Sequence, residues 1–381
     1  SLTDNIWSSA YGVIYTANAV IEGIAASASS QLHDNVRTAL TAEARCIRAF
    51  CYFYLTNYYG DVPLVLTTDY NAAITLPRAA QADIYQQIIQ DLKEAQSSLP
   101  GDYAAGKDRR VRVNKWVATA LLARVYLFTG DYKNAAQQAT EVINNSSLYG
   151  LETNLKNVFL TTSREAIWQL NQVTGTGSSD GTPDGLALLP QYADPDNQTA
   201  YISYLIAAQL LNAFEPGDLR QQLWTDSTVI YQTGQTAHFS SKYEIGISNQ
   251  TLGGAPIEYY MVLRLAEQYL IRAEAEANGA GGGPAAAVAD LNIIRARAGL
   301  PGLPSDLPPA TLQAAVAHEW QTEFFCEWGH RWFNLKRTGE GHKVLSQIPL
   351  KQPWAGDQQL MYPIPPADIA RNSDLSQNPG Y

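Results

Sequence analysis

The sequence predicts an all-α protein of stacked helix pairs, an α/α superhelix, with a loop-rich irregular insertion containing little β. Three observations carry this. Apolar residues recur at spacings of three and four through most of the first 146 residues, the period of an amphipathic helix. A helix, turn, helix plan occurs at 113–146 and again at 258–299. Between them, residues 174–256 crowd turn-forming residues into TGTGSSDGTPDG, YADPDNQ, EPGD and QTLGGAP. The expected organisation is a single domain over 1–381. It divides into a helical part at 1–173, the loop-rich insertion at 174–256, and a C-terminal helical part with an irregular tail at 257–381.

Each element has a local cause. Over 6–26, Ile6, Ala10, Val13, Ile14, Ala17, Val20, Ile21 and Ile24 form one helical stripe, and Thr3 and Asp4 offer N-cap oxygens. A Ser/Ala-rich link leads to a second helix at 38–59, with Ala42, Cys46, Ala49, Phe50, Phe53 and Tyr54 inward. Gly60 and Pro63 stop it. A third helix spans 81–98, capped near Ala80–Asp83 and closed by Leu99-Pro100-Gly101. Helices at 113–129 and 132–146 flank Gly130-Asp131-Tyr132. Small residues at a close crossing, a Gly at the turn and a Tyr opening the second helix match the tetratricopeptide plan. Inside the insertion one helix is expected at about 199–214, with short β-like pieces around 228–245. The second pair turns at GAGGG, a last helix runs over 310–328, and the Pro- and Asn-rich tail is irregular but pinned.

Composition excludes several function classes. The 381 residues carry a net charge of −10, with only 16% charged residues. Nucleic acid and anionic lipid both demand basic clusters that this chain lacks. No stretch reaches the ~18 apolar residues of a membrane span. Cys46, Cys51 and Cys326 form no CxxC or Cys/His cluster, so neither a zinc site nor thioredoxin-like chemistry is expected. The chain begins at Ser1 with neither Met nor a charged leader. It is expected to be a processed or trimmed product; any signal peptide or lipid-bearing Cys would lie upstream.

Catalytic patterns fail one by one. Glu319, Glu323 and Glu327 share a helix face, and paired carboxylates are what glycoside hydrolysis uses. Yet Arg331, Lys336 and Arg337 follow at once, Arg295 and Arg297 sit in another predicted helix, and guanidinium neighbours depress a carboxyl pKa. An ion-pair network is the expectation. His318-Glu319 begins a zincin motif that Thr322 breaks, and His330 with Glu327 lacks a third ligand. There is no GxSxG, no Walker loop and no GxGxxG opening a helix. The chain is therefore expected to be no enzyme, to need no cofactor or metal, and to bind. Tyr and Trp join an apolar face to a polar handle, which suits sugars. The candidate ligand contacts are Tyr192, Tyr201, Tyr204, Trp224 and Tyr231 in the insertion, and Trp354 in the supporting loop at 349–361. Trp354, between Pro353 and Gly356, is the strongest. Core packing competes for Trp224.

A set of motifs then points to a family. Arg48-Ala49-Phe50-Cys51-Tyr52-Phe53-Tyr54-Leu55 followed by Tyr59-Gly60-Asp61-Val62-Pro63-Leu64 closely resembles the N-terminal signature of the SusD/RagB family of outer-membrane nutrient-binding lipoproteins. Pro77-Arg78, Tyr85, Ile88, Asp91-Leu92 and Ala95 continue the pattern. Later come Arg264-Leu265-Ala266-Glu267, Arg272-Ala273-Glu274-Ala275 and the run from Leu291 to Gly299. Then follow Glu323-Phe324, Glu327, Gly329 to Leu335, Arg337, Tyr362-Pro363-Ile364-Pro365 and Asn378-Pro379-Gly380-Tyr381. The matches run in family order from about residue 7 to 381.

The resemblance implies a SusD-like fold with tetratricopeptide-like pairs on one side and the ligand site in the loop-rich part. It implies a lipoprotein on the outer leaflet of the outer membrane, exposed at the cell surface. Such a protein captures oligosaccharides and delivers them to a SusC-type TonB-dependent transporter, without enzymatic activity. The helix-pair side is expected to meet the transporter and the loop side to close over its mouth. A peptide or other nutrient handled by the same lid mechanism, or an intracellular tetratricopeptide scaffold, is the alternative. The link from Ile24 to Ala39 holds no aromatic residue, unlike members that stack sugar on a tryptophan there. No ligand residue is carried over from the family. Tyr59 to Pro63 and the Arg331 to Arg337 stretch read as structural, with Asp61 capping a neighbouring turn and the arginine stretch pairing with the Glu stripe.

Overall fold

Small and apolar residues three and four apart build α1 (Leu2–Ala26), which packs on α2 (Asp34–Tyr59). The computed structural model describes residues 2–172, 175–193 and 199–381, and their contacts divide the chain into two units. The first holds the stretch up to Asp102, Val113–Asp131 and Arg331–Tyr381; the second holds Tyr103–Arg112 and Tyr132–His330.

In the first unit β1 (Val62–Pro63) pairs with β2 (Arg78–Ala79), and the short α3 (Tyr70–Ala73) lies between them in sequence. α4 (Gln81–Ser98) packs on α2, and α5 (Lys115–Phe128) packs on α4. Ile14, Phe53, Leu55, Ile88 and Leu121 fill the core between these helices. Arg48 is the polar tie within it. Its Nε and Nη2 donate to the Asp91 carboxylate at 2.8 and 2.7 Å, and its Nη1 donates to Asn18 Oδ1 at 2.7 Å. One guanidinium thus joins α1, α2 and α4. Gly60 ends α2 at φ +76°, a conformation that costs glycine little. Asp61 then accepts the Gln81 N–H at 2.8 Å, so it caps α4 where the local residue, Ala80, has no oxygen to offer.

The tail completes this unit with α13 (His330–Arg337), α14 (Gly341–Leu345) and α15 (Pro366–Arg371). It is pinned, as the sequence suggested. Asn378 Nδ2 donates to the Tyr59 and Tyr362 carbonyls at 2.9 and 2.7 Å, and the Tyr58 and Tyr362 rings stack at 4.9 Å.

In the second unit α6 (Tyr132–Ile143) packs on α10 (Leu265–Ala277), which also meets α11 (Gly283–Arg297) and α12 (Pro309–Glu323). The α10/α11 pair matches the repeat read at 258–299. The expected pairing of the helices at 113–129 and 132–146 takes another form: α5 packs on α4 in the first unit, and α6 packs on α10 in the second. β3 (Ala166–Leu170) and β8 (Tyr260–Arg264) form an antiparallel pair. The helix expected at about 199–214 is not formed. Instead there are β5 (Thr199–Tyr201) and the short α8 (Ala208–Leu211). The reason is sheet bonding: the Ala200 carbonyl accepts the Tyr231 N–H at 2.9 Å, and the Ile206 N–H donates to His238 at 2.7 Å. The helix read over 310–328 stops at Glu323. Cys326, Trp328 and Gly329 follow at φ +53°, +43° and +73°.

The core of this unit is charged. Arg264 donates to Glu165 at 2.8 Å, to Glu323 at 2.6 Å and to Glu327 at 2.9 Å, and it is 1% exposed. Arg220 pairs with Asp218 and Glu319, both at 2.8 Å. Arg295 reaches Glu319 at 2.9 Å, Arg297 pairs with Glu165 and Glu323, and Lys242 meets Glu327 at 2.5 Å. The expected partners Arg295 and Arg297 are there; in place of the expected pairing of the Arg331 to Arg337 stretch with the Glu stripe, Lys336 donates to the Asn57 carbonyl and Arg337 Nε to Asn334 Oδ1 at 2.9 Å. Arg220, Arg264, Lys242, Asp218 and Glu165 were not legible, being remote in sequence. Burial alone would raise the Glu323 carboxyl, but Arg297, Arg264 and Arg220 together hold it well below the usual carboxylate range. A carboxyl so held is no general acid.

Candidate functional site

The site is built on a four-stranded sheet in the order β4-β5-β6-β7, comprising β4 (Gln191–Tyr192), β5, β6 (Thr225–Ile230) and β7 (Thr236–Ser240). The register assigns each side chain to a face. Tyr192 lies opposite Ala200, Ala200 beside Ile230, Thr228 opposite Ala237, and Asp226 opposite Phe239. Strand alternation puts all of these on one face. Ala200, Thr228, Ala237 and Phe239 are buried there, so this face looks inward.

At its edge the same face opens into a cleft of about 530 Å³. Leu223, Phe239 and Tyr243 line it with apolar surface. Gln222, Asp226, Ser248 and Asn249 add amide, carboxylate and hydroxyl groups. The exposed Lys156–Glu244 pair, 3.1 Å apart, stands at the rim. Tyr192 supplies an aromatic ring. Burial first, and then the Asp226 charge, raise its phenol pKa above the usual value, so the hydroxyl stays a donor at neutral pH.

Several contacts hold the cleft open. α7 (Pro183–Leu188) is capped by Thr182 Oγ1, which accepts the Gly185 N–H at 3.0 Å. A Cβ on Gly185 would lie 2.3 Å from the Ile245 carbonyl oxygen, and one on Gly246 would lie 2.8 Å from Leu189 Cβ. The two segments therefore approach at a distance only glycine permits. Glu258 accepts the Glu244 and Ile245 N–H groups at 2.7 and 3.2 Å, and Asp180 accepts the Thr251 N–H at 2.7 Å. Asn249 bridges the Gly246 N–H and the Glu244 carbonyl at 2.7 and 2.8 Å. Tyr192 itself is tied in, its N–H donating to Ser248 Oγ at 2.9 Å.

The other candidates part company. Tyr201 and Tyr231 lie on the opposite face of the sheet, 44% and 56% exposed, and Tyr204 is 58% exposed. Trp224, at the end of α9 (Leu219–Trp224), is 1% exposed, which corrects its expected place at a ligand. Its indole N–H donates to the Leu155 carbonyl at 3.0 Å, and Lys242 Nζ sits 4.7 Å from its ring centroid. Trp354 belongs to the first unit. It is half-buried after the cis Gln352–Pro353 bond, with its indole nitrogen 3.3 Å from His342 Nδ1. Only Tyr192 of the six lines the cleft. Glu215, His318 and Glu319 bring their ligand atoms within 4.8 Å of one another, but Arg295 already bridges both carboxylates. Gln222 on α9, Asp226 on β6 and the loop residues Ser248 and Asn249 went unread because single polar residues are common in any element; only the fold gathers them around Tyr192.

Comparison with known proteins agrees with this architecture. A family model described as starch-binding, associating with the outer membrane, matches residues 2–127, and the SusD family model matches residues 221–381. The chain is 27% identical to SusD-like protein P2 of Formosa agariphila, over 98% of this chain and 80% of that protein. It is 24% identical to the starch-binding protein SusD of Bacteroides thetaiotaomicron, over 89% and 72%. Its structure superposes on a laminarin-binding SusD-like protein with a TM-score of 0.81 at 27% identity, covering 99% of this chain and 86% of that one. Among the described residues no helix is long and apolar enough to cross a membrane. With both ends of the chain matched by models of one family, and relatives and a solved structure aligned from end to end, this protein belongs to the SusD/RagB family.

Proposed function

We propose that this chain is a cell-surface glycan-binding lipoprotein that takes an oligosaccharide into the cleft beside Tyr192 and delivers it to a SusC-type TonB-dependent transporter. The observation that carries the reading is the make-up of the cleft. An aromatic ring stands beside Asp226, Gln222 and Ser248, over an apolar floor. The C–H face of a sugar stacks on such a ring, and its hydroxyls both donate and accept, which matches a carboxylate, an amide and a hydroxyl side by side. Family membership supports it, as do the laminarin- and starch-binding descriptions of the relatives. Family membership is also what supports residence at the outer membrane through a lipid anchor and hand-over to the transporter. Binding proceeds without cleavage in this reading, since the Glu stripe is committed to arginines.

A neutral-glycan array followed by calorimetry tests it. Tyr192→Ala weakens the best oligosaccharide severalfold to about tenfold, because one stacked ring is worth about 0.5–1.5 kcal/mol. Unchanged affinity overturns the placement. For delivery, the full lipidated protein is drawn from detergent-solubilised outer membrane of its host. Recovery without a barrel-sized partner overturns that part of the proposal.

A further inference from the structure

The sheet that walls the cleft has a second face. By the same register, Gln191 lies opposite Tyr201, Thr199 beside Val229, Ser227 opposite His238, and Val229 opposite Thr236. Tyr231 follows Ile230 and points with Tyr201. The Tyr201 and Tyr231 rings are 5.2 Å apart at 46° and form one continuous aromatic surface. We propose that this outer face is a second carbohydrate-stacking surface, separate from the cleft, that holds a further stretch of a long neutral polysaccharide. The ligand class rests on the glycan reading above; the site itself does not.

Three features point to a sugar. The first is exposure: 44% and 56% of two neighbouring tyrosines is open on a strand surface whose other face is buried. The second is chemistry. This face of the described strands carries no Asp, Glu, Lys or Arg, in a chain of net charge −10; His238 is its one basic side chain, and Thr199, Ser227, Thr236 and Gln191 share it with the rings. A neutral, hydroxyl-rich ligand meets no charge to desolvate there. The same lack of cations excludes an anionic lipid surface. Two rings and a few small residues also fall well short of the roughly 800 Å² per partner of a stable protein interface. The third is rigidity. The Tyr231 N–H donates to Ala200 at 2.9 Å, and the turn that follows is closed by Gly234 to Ile230 at 2.8 Å and by Ile230 to Gln235 at 2.9 Å. The backbone beneath the rings is fixed before any ligand arrives, so stacking has only the side chains to order.

Because the two surfaces lie on opposite faces of one sheet, a short oligosaccharide occupies one at a time. A polysaccharide long enough to pass the edge engages both, and the second contact benefits from a high effective concentration. The inference is therefore a length preference that the cleft alone would not give.

The test uses the full chain in native gels containing laminarin, soluble starch or other neutral polysaccharides, with calorimetry on the matching short oligosaccharides. Circular dichroism confirms that each variant remains folded. The double variant Tyr201→Ala/Tyr231→Ala is expected to lose at least about fivefold in retardation by the polysaccharide that retards the parent, while short-oligosaccharide affinity is unchanged. Tyr192→Ala is expected to weaken the short oligosaccharide severalfold to about tenfold and to keep part of the retardation. Retardation lost only in the double variant supports the outer face even if the cleft reading fails. Retardation unchanged in the double variant, or absent for the parent in every gel, overturns the outer face. So does a parent dimer in sedimentation velocity that the double variant abolishes, because the rings would then meet a second copy.

Discussion

Arg264 is the residue on which the second unit depends most. It is buried, and it satisfies Glu165, Glu323 and Glu327 at once. Burial disfavours its charge, but the three carboxylates more than offset this and raise its pKa well above the usual value. Arg264→Met leaves those carboxylates facing a thioether, and an uncompensated buried charge costs about 3–5 kcal/mol. Chemical denaturation measures the loss. A change under about 1 kcal/mol would mean that Arg297 and Lys242 carry the acids unaided. Trp224 behaves in the same structural way. Trp224→Ala removes a buried indole and its hydrogen bond to Leu155, and is expected to cost about 3–5 kcal/mol while oligosaccharide affinity in the folded fraction stays constant. A variant of parental stability and weakened binding would return Trp224 to the ligand site. At this scale the sequence was legible in kind but not in place. It marked aromatic residues in loops. Whether a ring faces a ligand or a core is set by neighbours as remote as Leu155 and Phe325, and no local pattern encodes that.

Helices were read well and the insertion poorly, for a physical reason. α1, α2, α4 and α5 announce themselves by apolar spacing and by stop signals at Gly60 and Pro100, all local. The four-stranded sheet is made of strands two to six residues long, with α8 and α9 between β5 and β6 in sequence, and its identity lies in pairing between distant segments. Short apolar runs such as 199–206 suit either helix or strand until those partners are known. α7 carries a further consequence of such packing. Its Asp184 is pushed up to about 6, chiefly by burial and also by Glu327, against the hydrogen bond from Tyr260. The folded-state pKa lies above the ordinary value of 3.8, so the stabilisation by neutral Asp184 is fully present below about pH 4 and is lost as pH rises through about 6. Asp184→Asn keeps the neutral shape. Relative to the parent it is expected to gain about 1–2 kcal/mol between pH 4 and pH 6.5, after allowing for the partial exposure of the carboxyl. Parallel stability curves for parent and variant across that window would remove Asp184 from the account.

At the scale of the whole molecule, the charge distribution bears on the choice between the two nutrients that the family motifs leave open. The chain bears −10 overall, yet four of its arginines are spent inside: the side chains of Arg220, Arg264, Arg295 and Arg297 are each fully or nearly buried among carboxylates. The cleft keeps Asp226 beside Tyr192 and a lysine already paired with Glu244. A charged peptide would have to be recognised through Asp226 or the rim pair, and exposed pairs of that sort are screened within about 10 Å at 0.1 M salt. A neutral glycan would be recognised by stacking and hydrogen bonding, which salt scarcely touches. Raising sodium chloride from about 20 mM to about 500 mM is therefore expected to change oligosaccharide affinity less than about twofold, with no loss of polysaccharide retardation. A tenfold fall over that range, removed by Asp226→Asn, would mean that the cleft reads charge, and would turn the assignment toward a cationic ligand.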